Sequence, residues 1–321
     1  MTNGTLQLED FRDKRVLVTG AAGFVGRHLI ERLRELGSVV CALDRPGTRF
    51  PAEWEGVQCE GIDLSKPTLT TKAIKDFAPE IILHLAAMID VARAWDNLRK
   101  AMTANIVTSV NVLEAAGALE PAPRVVLLGT SEEYGDQIAP FNEKMQVRPV
   151  SPYSWSKTAI THLAGMAWRT FGLPTVVLRP FLVYGPSQPP GLLLPSLIRA
   201  LLAGEEFEMT AGEQSRDFVH VHDVVDAILR AGLAERAVGE IINVCSGREV
   251  QVREVALMIA RELQAEELLK LGALPYRKGE AMRFVGDPHR ARTLLGFSAE
   301  TRLEDGIAQT IAWYRVQAGE G

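Results

Sequence analysis

The stretch VLVTGAAGFVGRHLIERL, residues 16–33, holds three signals in a row. Val16–Thr19 is a short β-branched apolar run, the mark of a buried strand. Gly20, Gly23 and Gly26 follow at the spacing G-x-x-G-x-x-G. Leu29, Ile30 and Leu33 then recur at helical period. Strand, glycine turn and amphipathic helix open a βαβ unit, in which backbone N–H groups at a helix start can approach a pyrophosphate. Asp44 ends the next apolar run, about 20 residues on, where a carboxylate accepts hydrogen bonds from ribose hydroxyls and repels a 2′-phosphate. That combination points to NAD. Arg45 beside it argues toward NADP, but the acid at the strand end dominates. Asp63, in GIDL, is placed to meet the adenine.

Outward from this unit, apolar runs alternate with helical patterns. Strands are predicted at Arg15–Thr19, Val39–Leu43, Val57–Gly61, Ile81–Leu85, Val125–Leu128 and Thr175–Leu178. The longest helical patterns run over Asn105–Leu119 and Ser154–Phe171. Strict β/α alternation requires right-handed crossovers and a parallel sheet. The fold class is therefore α/β, a Rossmann-type doubly wound parallel sheet with a smaller C-terminal domain. The boundaries expected are 1–178 for the NAD-binding part, with segments near 217–245 returning to it, and 179–216 with 246–321 for the smaller part. GPSQPPG, residues 185–191, marks the exit from the sheet, and Gly239–Val244 is a short strand able to rejoin it.

Composition narrows the function classes. The chain has 321 residues and a formal net charge of -5, with Lys and Arg scattered, which argues against nucleic acid. Met1–Lys14 is polar and acidic, unlike a signal peptide, and Leu192–Leu202 is too short to span a bilayer and is interrupted by Pro195 and Arg199. Cys41, Cys59 and Cys245 lie in apolar runs and are expected reduced and buried, in a cytoplasmic protein. His220 and His222, in FVHVHD, are expected on one strand face as strand-end histidines; without a third ligand no metal is implied.

Two further stretches carry chemistry. In SPYSWSKTA, residues 151–159, Tyr153 and Lys157 fall four apart at a helix start and so share a face. Ser151 and Ser154 are available as caps and Pro152 suits the first turn. An adjacent ammonium is expected to stabilise the phenolate, making Tyr153 a base toward an alcohol that is losing hydride. In LLGTSEEYGD, residues 127–136, a buried strand ends in Thr130, Ser131, Glu132, Glu133 and Tyr134. Parallel sheets place ligands at such ends. Thr130 could hydrogen-bond the same substrate oxygen as Tyr153. Both Tyr153 and Lys157 being present argues against an NAD-sensing binding protein on an inactive dehydrogenase fold.

The glycine motif, Asp44, HLAA (His84–Ala87), Thr130 and Y-x-x-x-K together resemble the extended short-chain dehydrogenase/reductase family. LRPFLVYGP (178–186), RDFVHVHDVVDAI (216–228), INVCSG (242–247) and YRKGE (276–280) are similar to its NAD-dependent nucleotide-sugar epimerases and dehydratases. The resemblance runs from about Lys14 almost to the C-terminus. It implies that Phe24, Val25, Leu64, Leu85, Ala86, Ala87 and Pro180 line the cofactor with the residues above. It further implies that Arg216 and Arg277 hold a substrate diphosphate, with Arg283 as a third candidate, and that Thr130, Ser131 and Glu132 meet the sugar. A homodimer through the two long helices is also implied. Leu182 stands where the family usually has a substrate-contacting Asn, so one contact is missing or supplied otherwise.

The second departure decides the reaction expected. Related 4-epimerases carry Ser, Ala or Thr in the two positions after the catalytic hydroxyl; related 4,6-dehydratases carry Asp then Glu. This chain has Ser131 then Glu132, with Glu133 expected to point away from the site. A ketone at C4 acidifies the neighbouring C5–H, and a carboxylate can remove that proton and let the C6 hydroxyl leave. An epimerase has no use for that base, and its burial costs desolvation. The expectation is thus a sugar-nucleotide dehydratase, and Ser131 beside a retained Glu132 resembles the UDP-N-acetylglucosamine 5,6-dehydratases, which implies that substrate and water loss across C5–C6 with hydride returned to C4. A 4,6-dehydratase and a 4-epimerase are the alternatives.

Overall fold

The computed structural model describes residues 7–90, 94–277 and 279–319. The first strand, β1 (Arg15–Thr19), lies in the middle of a seven-stranded parallel sheet. Its partners are β2 (Val39–Asp44), β3 (Gln58–Gly61), β4 (Ile81–His84), β5 (Arg124–Leu128), β6 (Thr175–Pro180) and the returning strand Ile241–Val244. The spatial order is 3-2-1-4-5-6 and then the returning strand, which pairs Ile242 with Leu178 at the far edge. Doubly wound sheets put ligands beyond the carboxyl ends of the strands where this order reverses, here beside β1 and β4.

Side-chain alternation sorts the core into two faces. Val16 and Val18 point to one cluster; Leu17 points to the other. Helix α1 (Phe24–Glu35) covers the first face with Leu29, Ile30 and Leu33. The opposite face is covered by α2 (Pro67–Phe77), α4 (Thr108–Gly117) and α5 (Pro152–Phe171). A third cluster around Leu197, Phe218 and Ile259 lies apart from the sheet. The strand Leu182–Tyr184 prolongs β6 toward it and pairs with Phe218–His220.

Local differences from the sequence reading have physical causes. The pattern over Asn105–Leu119 is not one helix: α3 (Asp96–Ala101) runs into a π-helical segment, Met102–Val107, before α4 begins at Thr108. Periodicity alone does not register a wider turn. Helix α5 starts two residues earlier than expected, at Pro152, because Ser151 and Ser154 close a reciprocal capping box. Cys59 is exposed rather than buried, since β3 is an edge strand with its residues in solvent; Cys41 and Cys245 are buried. His220 and His222 do not share a strand face. His220 ends a strand and His222 lies in the first turn of the helix Val221–Leu233. Among the described residues no three His, Cys, Asp or Glu side chains gather as a metal site, and no helix is long and apolar enough to cross a membrane.

The β1–α1 junction admits no side chain at Gly26, where a Cβ would lie 2.3 Å from the Gly20 carbonyl oxygen and 2.5 Å from that of Ala21. Gly26→Ala should therefore destabilise the fold by about 1–3 kcal/mol, the range for overpacking a tight core contact. Urea unfolding of the two proteins measures this; an unchanged midpoint would mean the helix can tilt away freely.

Candidate active site

The glycine turn is shaped by contacts that side chains would block. Gly20 has φ +67, and a Cβ on it would come within 2.8 Å of the Ala86 nitrogen, so β1 and the HLAA segment meet as bare backbone. Gly23 is the N-cap of α1, and no side chain caps the helix there. Its first-turn N–H groups fit a pyrophosphate. Asp44 accepts from Ala22 N at 2.9 Å and from Arg45 N at 2.8 Å, tying the end of β2 to the turn. Thr48 Oγ1 donates to it as well, at 3.3 Å, and since a carboxylate has about four acceptor positions, capacity remains for a ribose hydroxyl. The Arg45 side chain is exposed.

The other cofactor candidates surround this turn unevenly. Phe24, Val25, Leu85, Ala86, Ala87 and Pro180 are half-buried. Leu64 is buried in the core, and its carbonyl accepts from Asn111 Nδ2 at 2.8 Å. Asp63 does not end the strand, which stops at Gly61. Its carboxylate is held by Ser65 Oγ at 2.7 Å and Ser65 N at 3.0 Å, which keep it below the usual carboxylate range.

At the end of β5 the chain turns through a single 3-10 turn, Ser131–Tyr134, with Thr130 as its N-cap. The Thr130 hydroxyl lies near enough to Tyr153 to act on its phenol, so the two hydroxyls expected to address one substrate oxygen are neighbours. Lys157 follows one turn along α5 and is buried; its Nζ donates to the Leu128 carbonyl at 2.7 Å. The expected lowering of the phenol by this lysine is not found. Burial pushes Tyr153 up, and the charges of Glu132 and Glu133 push the same way, with only the Thr130 hydroxyl opposing them. The physical reason is that Lys157 is aimed at the β5 backbone. Burial also pushes Lys157 down to about 8, against the pull of Glu133.

Ser131 is buried and Glu132 half-buried. The Glu132 charge is felt both by Tyr153 and by Arg216. Arg216 is ion-paired with Glu280 and donates to the carbonyls of Ser215 and Ala281, each at 2.8 Å. Arg277 is exposed. Arg283 is engaged elsewhere: it binds Glu249 at 2.8 Å and the Ala139 carbonyl at 2.7 Å. The Glu132 charge thus reaches both Tyr153 and Arg216, and Lys157 lies one turn from Tyr153 on α5, while Arg283 braces the strand Arg283–Phe284.

Several contributors escaped the sequence reading. Asn105, fully buried in the π-helical segment, binds the Met88 N–H at 2.7 Å, the Met88 carbonyl at 3.1 Å and Ser156 Oγ at 2.9 Å. Ser156 in turn donates to the Tyr153 carbonyl at 2.7 Å. His84 accepts from Thr19 Oγ1 at 2.7 Å and meets Ser109 Oγ at 3.0 Å. Ser109 spends its own proton on the Asn105 carbonyl at 2.7 Å, so His84 Nε2 carries the donor hydrogen, and with the ring kept neutral by burial its Nδ1 is left to accept from Thr19. Burial and the Lys157 charge hold it at about 3. The available signal was polar residues recurring inside otherwise apolar helix faces.

Residues 16–245 match the model of the NAD dependent epimerase/dehydratase family. The chain belongs to that family. It is 35% identical over 315 residues to the UDP-glucose 4-epimerase of Mycolicibacterium smegmatis, covering 94% of this chain and 98% of that one. It is 29% identical over 342 residues to the dTDP-glucose 4,6-dehydratase of Neisseria meningitidis, covering 94% and 93%. Among solved structures, MoeE5 in complex with UDP-glucuronic acid and NAD superposes with a TM-score of 0.85 at 33% identity, over 94% of this chain and 99% of that one. Family members thus include both epimerases and dehydratases on one scaffold. The cofactor is NAD, which suits the glycine turn and Asp44.

Lys157 gives the site a pH signature. Its ammonium is penalised by burial, so it titrates at about 8 instead of 10.5. Between those values the unfolded chain binds more protons than the folded one, and this residue makes stability rise with pH across the window. Lys157→Met should flatten that rise by about 3 kcal/mol in urea unfolding at the two pH limits. Equal pH slopes in the two proteins would show that no buried ammonium is present.

Proposed function

We propose that the protein is a nucleotide-sugar dehydratase that oxidises a hexose at C4 and removes water across C5–C6, with UDP-N-acetylglucosamine as substrate. The observation that supports this reading is Glu132, a half-buried carboxylate whose charge acts on both Tyr153 and Arg216. A charge felt at both points suits a group lying against the sugar, between the reacting oxygen and the diphosphate. Bound NAD supplies the removal of hydride from C4 and its return. Tyr153 takes the proton of the C4 hydroxyl, and Thr130, beside the phenol, orients the same oxygen. Arg216 and Arg277 grip the diphosphate, for which guanidinium forks are suited.

Glu132 then acts on the ketone. It takes the acidified C5 proton as the C6–O bond breaks, and passes it to the leaving hydroxyl. The C5–H and C6–O bonds are lost, a C5=C6 double bond forms, and water departs. Ser131 stands where 4,6-dehydratases carry a separate acid, so one carboxylate serves both halves. With Tyr153 returning the proton to the C4 oxygen, the product is a 5,6-unsaturated sugar formed without net redox. This is the reaction expected of the UDP-N-acetylglucosamine 5,6-dehydratase of tunicamycin biosynthesis.

A 4-epimerase is the second reading, favoured by the 35% identity to a UDP-glucose 4-epimerase. A homodimer through Asn105–Leu119 and α5 belongs to the same proposal: Val107, Val110, Trp155 and Met166 leave apolar surface exposed on these two segments.

Glu132→Gln separates the readings. Oxidation at C4 should persist, because the Tyr153–Lys157 pair is intact, while water loss falls by a factor on the order of 100 or more, the scale of lost general-base catalysis. The enzyme should accumulate NADH absorbance and a 4-keto sugar. Unchanged water loss would make Glu132 a bystander. Ordinary turnover to a C4 epimer in both proteins would establish the epimerase.

A further inference from the structure

The turn that presents Thr130 and Glu132 stands on a second carboxylate that faces away from the cleft. Glu133 is fully buried. It accepts three hydrogen bonds: Thr130 N at 3.0 Å on Oε1, and Thr161 Oγ1 at 2.9 Å and Arg179 Nη2 at 2.8 Å on Oε2. Arg179 is buried as well, its guanidinium 4.9 Å from the centre of the Tyr134 ring. A Cβ at Gly129 would fall 2.5 Å from Glu133 Oε1, so the bare backbone there is what admits the carboxylate.

The contacts connect this pair to the working face of α5. Thr161 lies one helical turn beyond Lys157, on the same side of the helix. Lys157 holds the Leu128 carbonyl, and Glu133 holds the Thr130 N–H while being held by Thr161. The end of β5 is therefore fastened to α5 at two successive levels. A buried ion pair is weak as a stabilising device, since apolar residues of similar volume do as well. What apolar residues cannot supply is a fixed negative charge. The ionisable groups around Tyr153 and Lys157 are His84 from β4, Glu132 and Glu133 from the turn, and Arg179 from β6 through its bond to Glu133. Glu133 is the one whose charge bears on both members of the pair.

We propose that Glu133, paired with Arg179, is a positioning residue that fastens the Thr130–Glu132 turn to α5 and supplies the negative charge on the Lys157 side of that turn. The inference rests on Tyr153 and Lys157 being the working pair, but its test needs no substrate. Protein labelled with ¹³C at the lysine side-chain termini is titrated by NMR, the Lys157 signal being assigned by its loss in Lys157→Arg. The wild-type midpoint is expected at about 8. In Glu133→Gln it should fall by roughly one pH unit, the low end for loss of a nearby opposite charge. Glu133→Gln strands a buried Arg179, so Glu133→Gln/Arg179→Gln is measured beside it; that variant leaves no lone buried charge and should still shift downward, by less than the single variant, because the Arg179 charge that opposed Glu133 is gone as well. A midpoint that stays at the wild-type value in the folded double variant would overturn the proposal and leave Glu133 as a turn cap alone. Failure of the sugar chemistry in the wild-type protein would instead count against the proposed function and leave this result standing.

Discussion

Gly26 rests against the Gly20 carbonyl so closely that a Cβ would lie 2.3 Å from it. That contact sets the angle at which α1 leaves β1, and much else follows. It lets Leu29, Ile30 and Leu33 reach one face of the sheet while the first turn of α1 stays open at Gly23. It also brings Gly20 against Ala86, joining the ends of β1 and β4 at the point where the strand order reverses. The cofactor cradle is thus a by-product of how a helix is packed on a strand.

The reacting end is built on different physics. Buried polar groups there are satisfied in directed chains: Thr19 to His84 to Ser109 to Asn105, and Asn105 to Ser156 to Tyr153. Leaving any one unpaired would cost more than its bond contributes, so each member constrains the next. Charge is placed with equal economy. Glu133 accepts three hydrogen bonds behind the strand end, whereas Glu132, one residue earlier, acts on Tyr153 and Arg216. Two adjacent glutamates have opposite tasks because a 3-10 turn points successive side chains in different directions.

The parts legible in the sequence are those encoded locally. Strand, turn and helix over residues 16–33 are contiguous, as are Ser151, Pro152, Tyr153 and Lys157, and the family resemblance rests on such runs. Interactions between distant segments were not legible. Nothing beside Glu133 in sequence announces Arg179, which is 46 positions away, or Thr161, which is 28 away. The π-helical segment hid Asn105 in an unbroken helical pattern. Arg216 was readable as a cation, but not its engagement by Glu280. The rise of Tyr153 was missed because Y-x-x-x-K spacing says which residues share a face, not where the ammonium points or how dry the phenol is.

The central claim is that a carboxylate at the end of β5 turns C4 oxidation toward loss of water, with the C4 hydrogen restored to its origin. Incubation of the NAD-loaded protein with UDP-N-acetylglucosamine carrying deuterium at C4, followed by mass and NMR analysis of the nucleotide sugar, tests it directly. The account predicts loss of one water with deuterium still on C4. Deuterium on C6, or an unchanged mass with C4 inverted, would contradict it.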